Sequence, residues 1–123
     1  MNGVVTVDGA MGEGGGQILR TALSLSLCLA RPFLIRNIRS RRPKPGLRPQ
    51  HLAAVNAAKA LGNAEVRGAA PGSQELFFSP RRVEEGNYRF DIGTAGSAGL
   101  VMQTLLPALV TANGHFEIEI TGG

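Results

Sequence analysis

The sequence predicts an α+β chain built from one complete βαβαββ unit and a second unit that stops after βαβ. Three observations lead there. Strand-like apolar runs alternate with helix-like runs along the chain. A glycine-rich turn recurs, because Gly93, Gly96 and Gly99 repeat the spacing of Gly9, Gly12 and Gly15. The strand expected after each turn begins at a matching distance, Phe33 lying 24 positions after Gly9 and Phe116 lying 23 after Gly93. Self-similarity of this kind marks an internal structural repeat. It divides the chain into a first unit over residues 1–80 and a truncated second unit over 87–123.

The elements follow in order. Val4 to Val7 is a short apolar run that suits a buried strand. Ile18 to Ala30 has a wide apolar face, with Gln17, Arg20, Thr21 and Ser24 recurring at spacings of three and four. That pattern is a helix with one narrow polar stripe. Phe33 to Ile38 reads as a second strand leading into the basic loop Arg39-Ser40-Arg41-Arg42-Pro43-Lys44-Pro45-Gly46, which has neither helical nor strand periodicity. Pro49 suits the first turn of a second helix, whose face is Leu52, Val55, Ala58 and Leu61 and whose end is Gly62-Asn63. Ala64 to Arg67 and Leu76 to Ser79 are short strands, and Pro80 to Gly86 is a polar connection. Tyr88, Phe90 and Ile92 alternate with Arg89 and Asp91 as a strand; a helix runs from Leu100 to Ala112; and Phe116, Ile118 and Ile120 alternate with Glu117 and Glu119. Pro107 predicts a bend or local break in that third helix.

Composition narrows the class. With 123 residues, 43% apolar and 18% charged, the chain can bury a true core and is not disordered as a whole. No apolar run is long enough to cross a bilayer, and the strand pattern begins at once, so neither a membrane span nor a signal peptide is expected. The one cysteine, Cys28, lies among leucines, reads as a small core residue and suits a cytoplasmic location. The net charge of +4 is unevenly placed: Arg31, Arg36, Arg39, Arg41, Arg42, Lys44 and Arg48 form a run free of acidic residues. Such a patch attracts a polyanion such as nucleic acid or a phosphorylated ligand. Only Phe33 lies nearby, so stacking on bases is not supported.

The turn Asp8-Gly9-Ala10-Met11-Gly12-Glu13-Gly14-Gly15-Gly16 joins the first strand to the first helix. Glycines let main-chain N–H groups approach a ligand closely, and the helix start adds further donors and the positive end of a dipole. A phosphate fits there, with Gly14 and Gly15 as its cradle and Arg20 one helical turn behind. No Lys-Ser or Lys-Thr follows, so this is not a Walker loop. The same glycines also suit a tight strand-to-helix turn required only for packing.

The glycine turn with its helix, the run Arg42-Pro43-Lys44-Pro45-Gly46-Leu47 followed by Gln50-His51-Leu52, and the stretch Ile92-Gly93-Thr94-Ala95-Gly96-Ser97 through Gln103-Thr104-Leu105-Leu106-Pro107 closely resemble RNA 3'-terminal phosphate cyclases. The resemblance covers essentially the whole chain. It implies an enzyme that uses ATP and a divalent metal, magnesium or manganese, to convert an RNA 3'-phosphate into a 2',3'-cyclic phosphate. In that family a histidine attacks the α-phosphate of ATP, AMP passes to the RNA 3'-phosphate, and the neighbouring 2'-hydroxyl displaces AMP. The implied fold is a repeat of βαβαββ units like the C-terminal domain of translation initiation factor 3, plus a smaller inserted domain. The resemblance places Glu13 at the metal and triphosphate. It puts Gln17 and Gln103 in the nucleotide and phosphate pocket, and Arg20, Arg39, Arg42, Gln50 and His51 at the RNA 3'-phosphate. Arg41 and Arg48 share the basic patch at positions the family pattern specifies less well. Asp8 reads as a turn former and His115 as structural.

The family's nucleophilic histidine has no match, because His51 and His115 are the only histidines. The resemblance therefore implies the N-terminal portion of a longer protein, a fragment inactive by itself. The rival reading is a cyclase-like protein of ribosome assembly that binds RNA or protein without cyclising. Sheet surface that further repeats would bury is expected to favour a homo-oligomer.

Overall fold

The computed structural model describes residues 3–94 and 96–123. Ala95, within the second glycine turn, lies outside the described residues. The elements run β1 (Val5–Asp8), α1 (Gly16–Leu29), β2 (Phe33–Arg36), α2 (Pro49–Gly62), β3 (Glu65–Arg67), β4 (Leu76–Ser79), β5 (Gly86–Asp91), α3 (Ala98–Thr111) and β6 (Phe116–Thr121). This is the α+β arrangement expected from the sequence.

β1 to β4 form one sheet in the order β1-β2-β4-β3. β1 and β2 are parallel, from Val5 opposite Phe33 to Asp8 opposite Arg36, while β4 runs antiparallel to both β2 and β3. Parallel neighbours need a crossover, and α1 supplies it. β5 and β6 form a separate parallel pair joined through α3, from Gly86 opposite Phe116 to Asp91 opposite Thr121. α1 packs against both α2 and α3, and α2 against α3. The apolar stripe of α1 reads directly into this layer, with Leu19 and Leu23 buried against a core that includes Ile35, Val55, Phe78 and Leu105. Phe33 and Phe78 meet across β2 and β4 at 5.7 Å between ring centroids.

α1 ends on Ala30 and α2 on Asn63, each in the left-handed conformation that closes a helix. The Ser26 hydroxyl, buried near the end of α1, donates to the Arg31 carbonyl.

Two expectations are corrected. β1 is not a buried strand: it is the sheet edge, and Val4 and Val5 are each 46% exposed. An edge strand has a neighbour on one side only, so an apolar run in sequence does not ensure its cover. Of the bend or local break expected at Pro107, the break is absent, because α3 runs on through it. Proline removes the hydrogen bond to the carbonyl four residues earlier. That residue is Gln103, on the exposed side of the helix, where its carbonyl is open to solvent.

A candidate phosphate and RNA-end site at the glycine turn

The glycine turn and the basic loop leave the carboxyl ends of the parallel strands β1 and β2 side by side. Ligand sites of open sheets with parallel strands gather at such ends. The two segments are tied at several points. Gly9 N–H donates to the Arg36 carbonyl at 2.6 Å, and a Cβ on Gly9 would come within 2.9 Å of that oxygen. Asp8 Oδ1 accepts from Ala10 N–H at 3.0 Å and from the Asn37 amide at 3.4 Å. Asp8 is thus the turn former its position suggests.

The basic loop is held from within. Arg39 has a positive φ of 49°, and its Nη1 donates to the Lys44 carbonyl at 2.6 Å and to the Gly46 carbonyl at 2.8 Å. Burial, then Arg42 and Arg48, hold the Arg39 pKa below its ordinary value. Gly46 is pressed against the Gly72 carbonyl, where a side chain would have no room, and its own φ is 82°. Arg42 reaches from the loop to the glycine turn, its Nη2 donating to the Glu13 carbonyl at 2.9 Å.

Between turn and loop lies a cleft of about 460 Å3 lined by Glu13, Gly14, Gly15, Gln17, Arg20 and Arg42 among others. Its floor depends on absent side chains. A Cβ on Gly15 would stand 2.8 Å from Arg42 Nη2; one on Gly16 would stand 2.7 Å from His51 Nε2 and 2.8 Å from Arg20 Nη1. Arg20 Nη2 donates to Gln17 Oε1 at 3.2 Å, while Arg20 Nε is buried without a hydrogen-bond partner. The cleft therefore gathers two guanidinium groups beside half-buried glycine backbone, with the His51 ring enclosed behind Gly16, a donor-rich setting for phosphate oxygens.

His51 is only 4% exposed. At the third position of α2, its Nδ1 accepts from Arg48 N–H at 2.9 Å, the role a glutamate or glutamine plays in a capping box. The neutral ring therefore carries its proton on Nε2, the nitrogen facing Gly16. Burial, with the charges of Arg39, Arg20 and Arg48, lowers its pKa from 6.5 to about 4.

Other expected residues lie around this centre. Gln17 and Arg20 also line a groove of about 290 Å3 between α1 and α3, together with Gln103. Thr21 and Ser24 share this groove; the polar stripe of α1 signals them by their spacing. Thr104, which the sequence offers only as a member of the Gln103-to-Pro107 stretch, completes it from α3: it is buried, with its hydroxyl donating to the Leu100 carbonyl at 2.9 Å. Gln50 stands apart, packed beside Gly96 of the second turn. His115 is exposed, 3.4 Å from Glu117, and lines neither the cleft nor this groove. Among the described residues no group of three or more His, Cys, Asp or Glu could hold a metal. Glu13 is the one acidic side chain on the cleft, and it is exposed. One carboxylate suits a magnesium-like ion that takes most of its ligands from phosphate and water, and does not make a protein cage.

The model of the RNA 3'-terminal phosphate cyclase family matches residues 11–123. The chain belongs to that family. Curated RNA 3'-terminal phosphate cyclases are similar to it throughout. That of Caldivirga maquilingensis is 59% identical over 121 residues, 98% of this chain and 34% of the relative. Those of Staphylothermus marinus and Pyrococcus abyssi are 53% and 54% identical over 120 residues, again 98% of this chain, and 34% and 35% of the relatives. The chain thus spans about a third of the length of these cyclases. Among the described residues no helix is long and apolar enough to cross a membrane.

Proposed function

We propose that this chain supplies the phosphate-binding part of the active site of an ATP-dependent RNA 3'-phosphate cyclase. The observation that carries this is the convergence of Arg20, Arg42 and His51 on the side-chain-free backbone of Gly15 and Gly16. In the proposed reaction the RNA 3'-phosphate is activated by AMP taken from ATP, with release of pyrophosphate. The neighbouring 2'-hydroxyl then attacks that phosphorus and expels AMP, closing a 2',3'-cyclic phosphate. Such a reaction needs little covalent chemistry from this segment and much positioning and charge neutralisation.

Arg20 and Arg42 orient and neutralise phosphate oxygens, and His51, neutral at physiological pH, donates from Nε2 without adding charge. Arg39 shapes the loop that presents Arg42 and contributes positive potential. Gln50 holds the second glycine turn against the start of α2. Gln17 and Gln103, in the neighbouring groove, offer amides to a nucleotide. Glu13 would hold a divalent magnesium or manganese ion, which would neutralise phosphate charge. Neither histidine serves as the nucleophile in this reading: the Nδ1 lone pair of His51 is committed to Arg48 N–H and its Nε2 carries the proton, while His115 lies outside the cleft, so the chain by itself should be inactive in cyclisation and form no covalent AMP adduct.

Binding of matched RNAs ending in 3'-phosphate or 3'-hydroxyl tests the proposal. The parent prefers the phosphate, and Arg20→Ala or Arg42→Ala lowers that affinity about 10- to 100-fold, the weight of one charged hydrogen bond. Equal affinity for both ends would overturn it. Glu13→Ala should remove the magnesium dependence of ATP binding while sparing RNA; an RNA-binding relative without catalysis would show no such dependence in the parent.

A further inference from the structure

The cleft accounts for Arg20 and Arg42 but not for the two cations that flank Arg42 on the same loop. Arg41 and Lys44 are both exposed. Among the described residues neither side chain forms a hydrogen bond or an ion pair. Every other feature of the loop is devoted to rigidity: Ser40 N–H donates to Asn37, Arg42 N–H to Arg39, Gly46 N–H to Ile38, and the Arg39 side chain closes the ring on Lys44 and Gly46. The Lys44 carbonyl is thus fixed while its ammonium stays in water. A loop this firmly held, with two unpaired cations at its tip and no acid between Arg31 and Arg48, is a preformed track for a polyanion.

We propose that Arg41 and Lys44 hold phosphodiesters of the RNA strand upstream of the terminal nucleotide. This rests on the reading of the cleft as the RNA 3'-phosphate site. A strand whose end lies between the glycine turn and Arg42 must leave the cleft past one of its walls, and the basic loop is the positively charged one. Recognition along this track reads the backbone and not the bases. The aromatic nearest in sequence, Phe33, is 4% exposed, so its ring is not offered for stacking. The substrate is thereby a strand of at least a few nucleotides with little base preference, and a free 3'-phosphorylated mononucleotide is a poorer ligand.

The test compares a 3'-phosphorylated mononucleotide with short 3'-phosphorylated oligoadenylate and oligouridylate over a series of salt concentrations. The parent chain should bind both oligomers several-fold more tightly than the mononucleotide and about equally to each other. Arg41→Ala/Lys44→Ala should abolish that advantage and reduce the salt slope by about 1.4, the value for two single-strand phosphates. Mononucleotide binding and the melting temperature should stay unchanged. Lys59→Ala/Arg82→Ala removes the same charge toward the other end of α2, where Arg81 N–H donates to the Gly62 carbonyl, Lys59 lying roughly 15 Å along the helix from its start, and should leave the length advantage intact. The proposal is overturned if the advantage survives in the loop variant or falls equally in the control. A parent that distinguishes 3'-phosphate from 3'-hydroxyl ends but shows no length advantage refutes the track alone. A parent blind to the end group refutes the cleft reading and the track with it.

Discussion

One imidazole gives the molecule a pH response. The folded pKa of His51 lies near 4 and its ordinary value is 6.5, so the unfolded chain binds a proton more readily than the folded one. The sign follows: this contribution to stability is complete above pH 6.5 and is lost as pH falls through 4, a difference of about 3 kcal/mol. Denaturant titrations should show the parent losing stability across that window and His51→Gln losing much less; parallel curves would contradict the assignment. Gly16 gives a second residue-level prediction. The Cβ of Gly16→Ala would displace Arg20 and the buried His51 ring, and with the ring its bond to Arg48 N–H. Affinity for ATP or for a 3'-phosphate should fall at least tenfold, and loss of the α2 cap should cost about 1 kcal/mol of stability; calorimetry of both measures this. The role of Gly16 was not legible from spacing alone, because the side chains it makes room for come from α2 as well as from its own helix.

At the scale of elements, the basic loop separates two kinds of arginine that look alike in sequence. Arg39→Ala removes a donor to two carbonyls and should destabilise the chain by roughly 1–3 kcal/mol. Arg41→Ala touches no such bond and should leave thermal stability within about 0.5 kcal/mol. Melting curves of the two variants side by side decide this. The helices and the alternating strands were legible because periodicity reports which face is covered, and Pro49, Gly62 and Asn63 mark the ends of α2 as expected. Burial of β1 was not legible: Val4 to Val7 has the composition of an interior strand, yet its place at the sheet edge is settled by chain order and not by local sequence. The cleft was readable in its members, Glu13 to Arg20 and Arg42, whereas the position of Gln50 at Gly96 depends on how α2 meets the second turn and the contribution of Thr104 on how α1 and α3 meet.

For the molecule as a whole, apolar surface is open on the helices as well as on the sheet edge. Leu25 and Leu29 of α1 are 54% and 64% exposed, and Val110 of α3 is 73% exposed. Leu25 shares its groove with Pro107, so the two helices present adjoining apolar ground. Exposed apolar surface favours association. Sedimentation should find concentration-dependent self-association of the chain that Leu29→Glu/Val110→Glu abolishes; a parent that stays monomeric would remove this face as the cause. The exposed alternate face of β5 and β6, carrying Arg89 paired with Glu119 at 3.2 Å, is hydrophilic and unsuited to the same role.

Arg42 grips position 13 by its main-chain oxygen and leaves the side chain alone. Any amino acid offers that oxygen. Position 13 is therefore free to vary without loosening the loop, so architecture and chemistry are inherited separately at this point of the fold. A lineage that lost the carboxylate would keep the same cleft, walls and basic rim, and a single codon change could restore what it had given up.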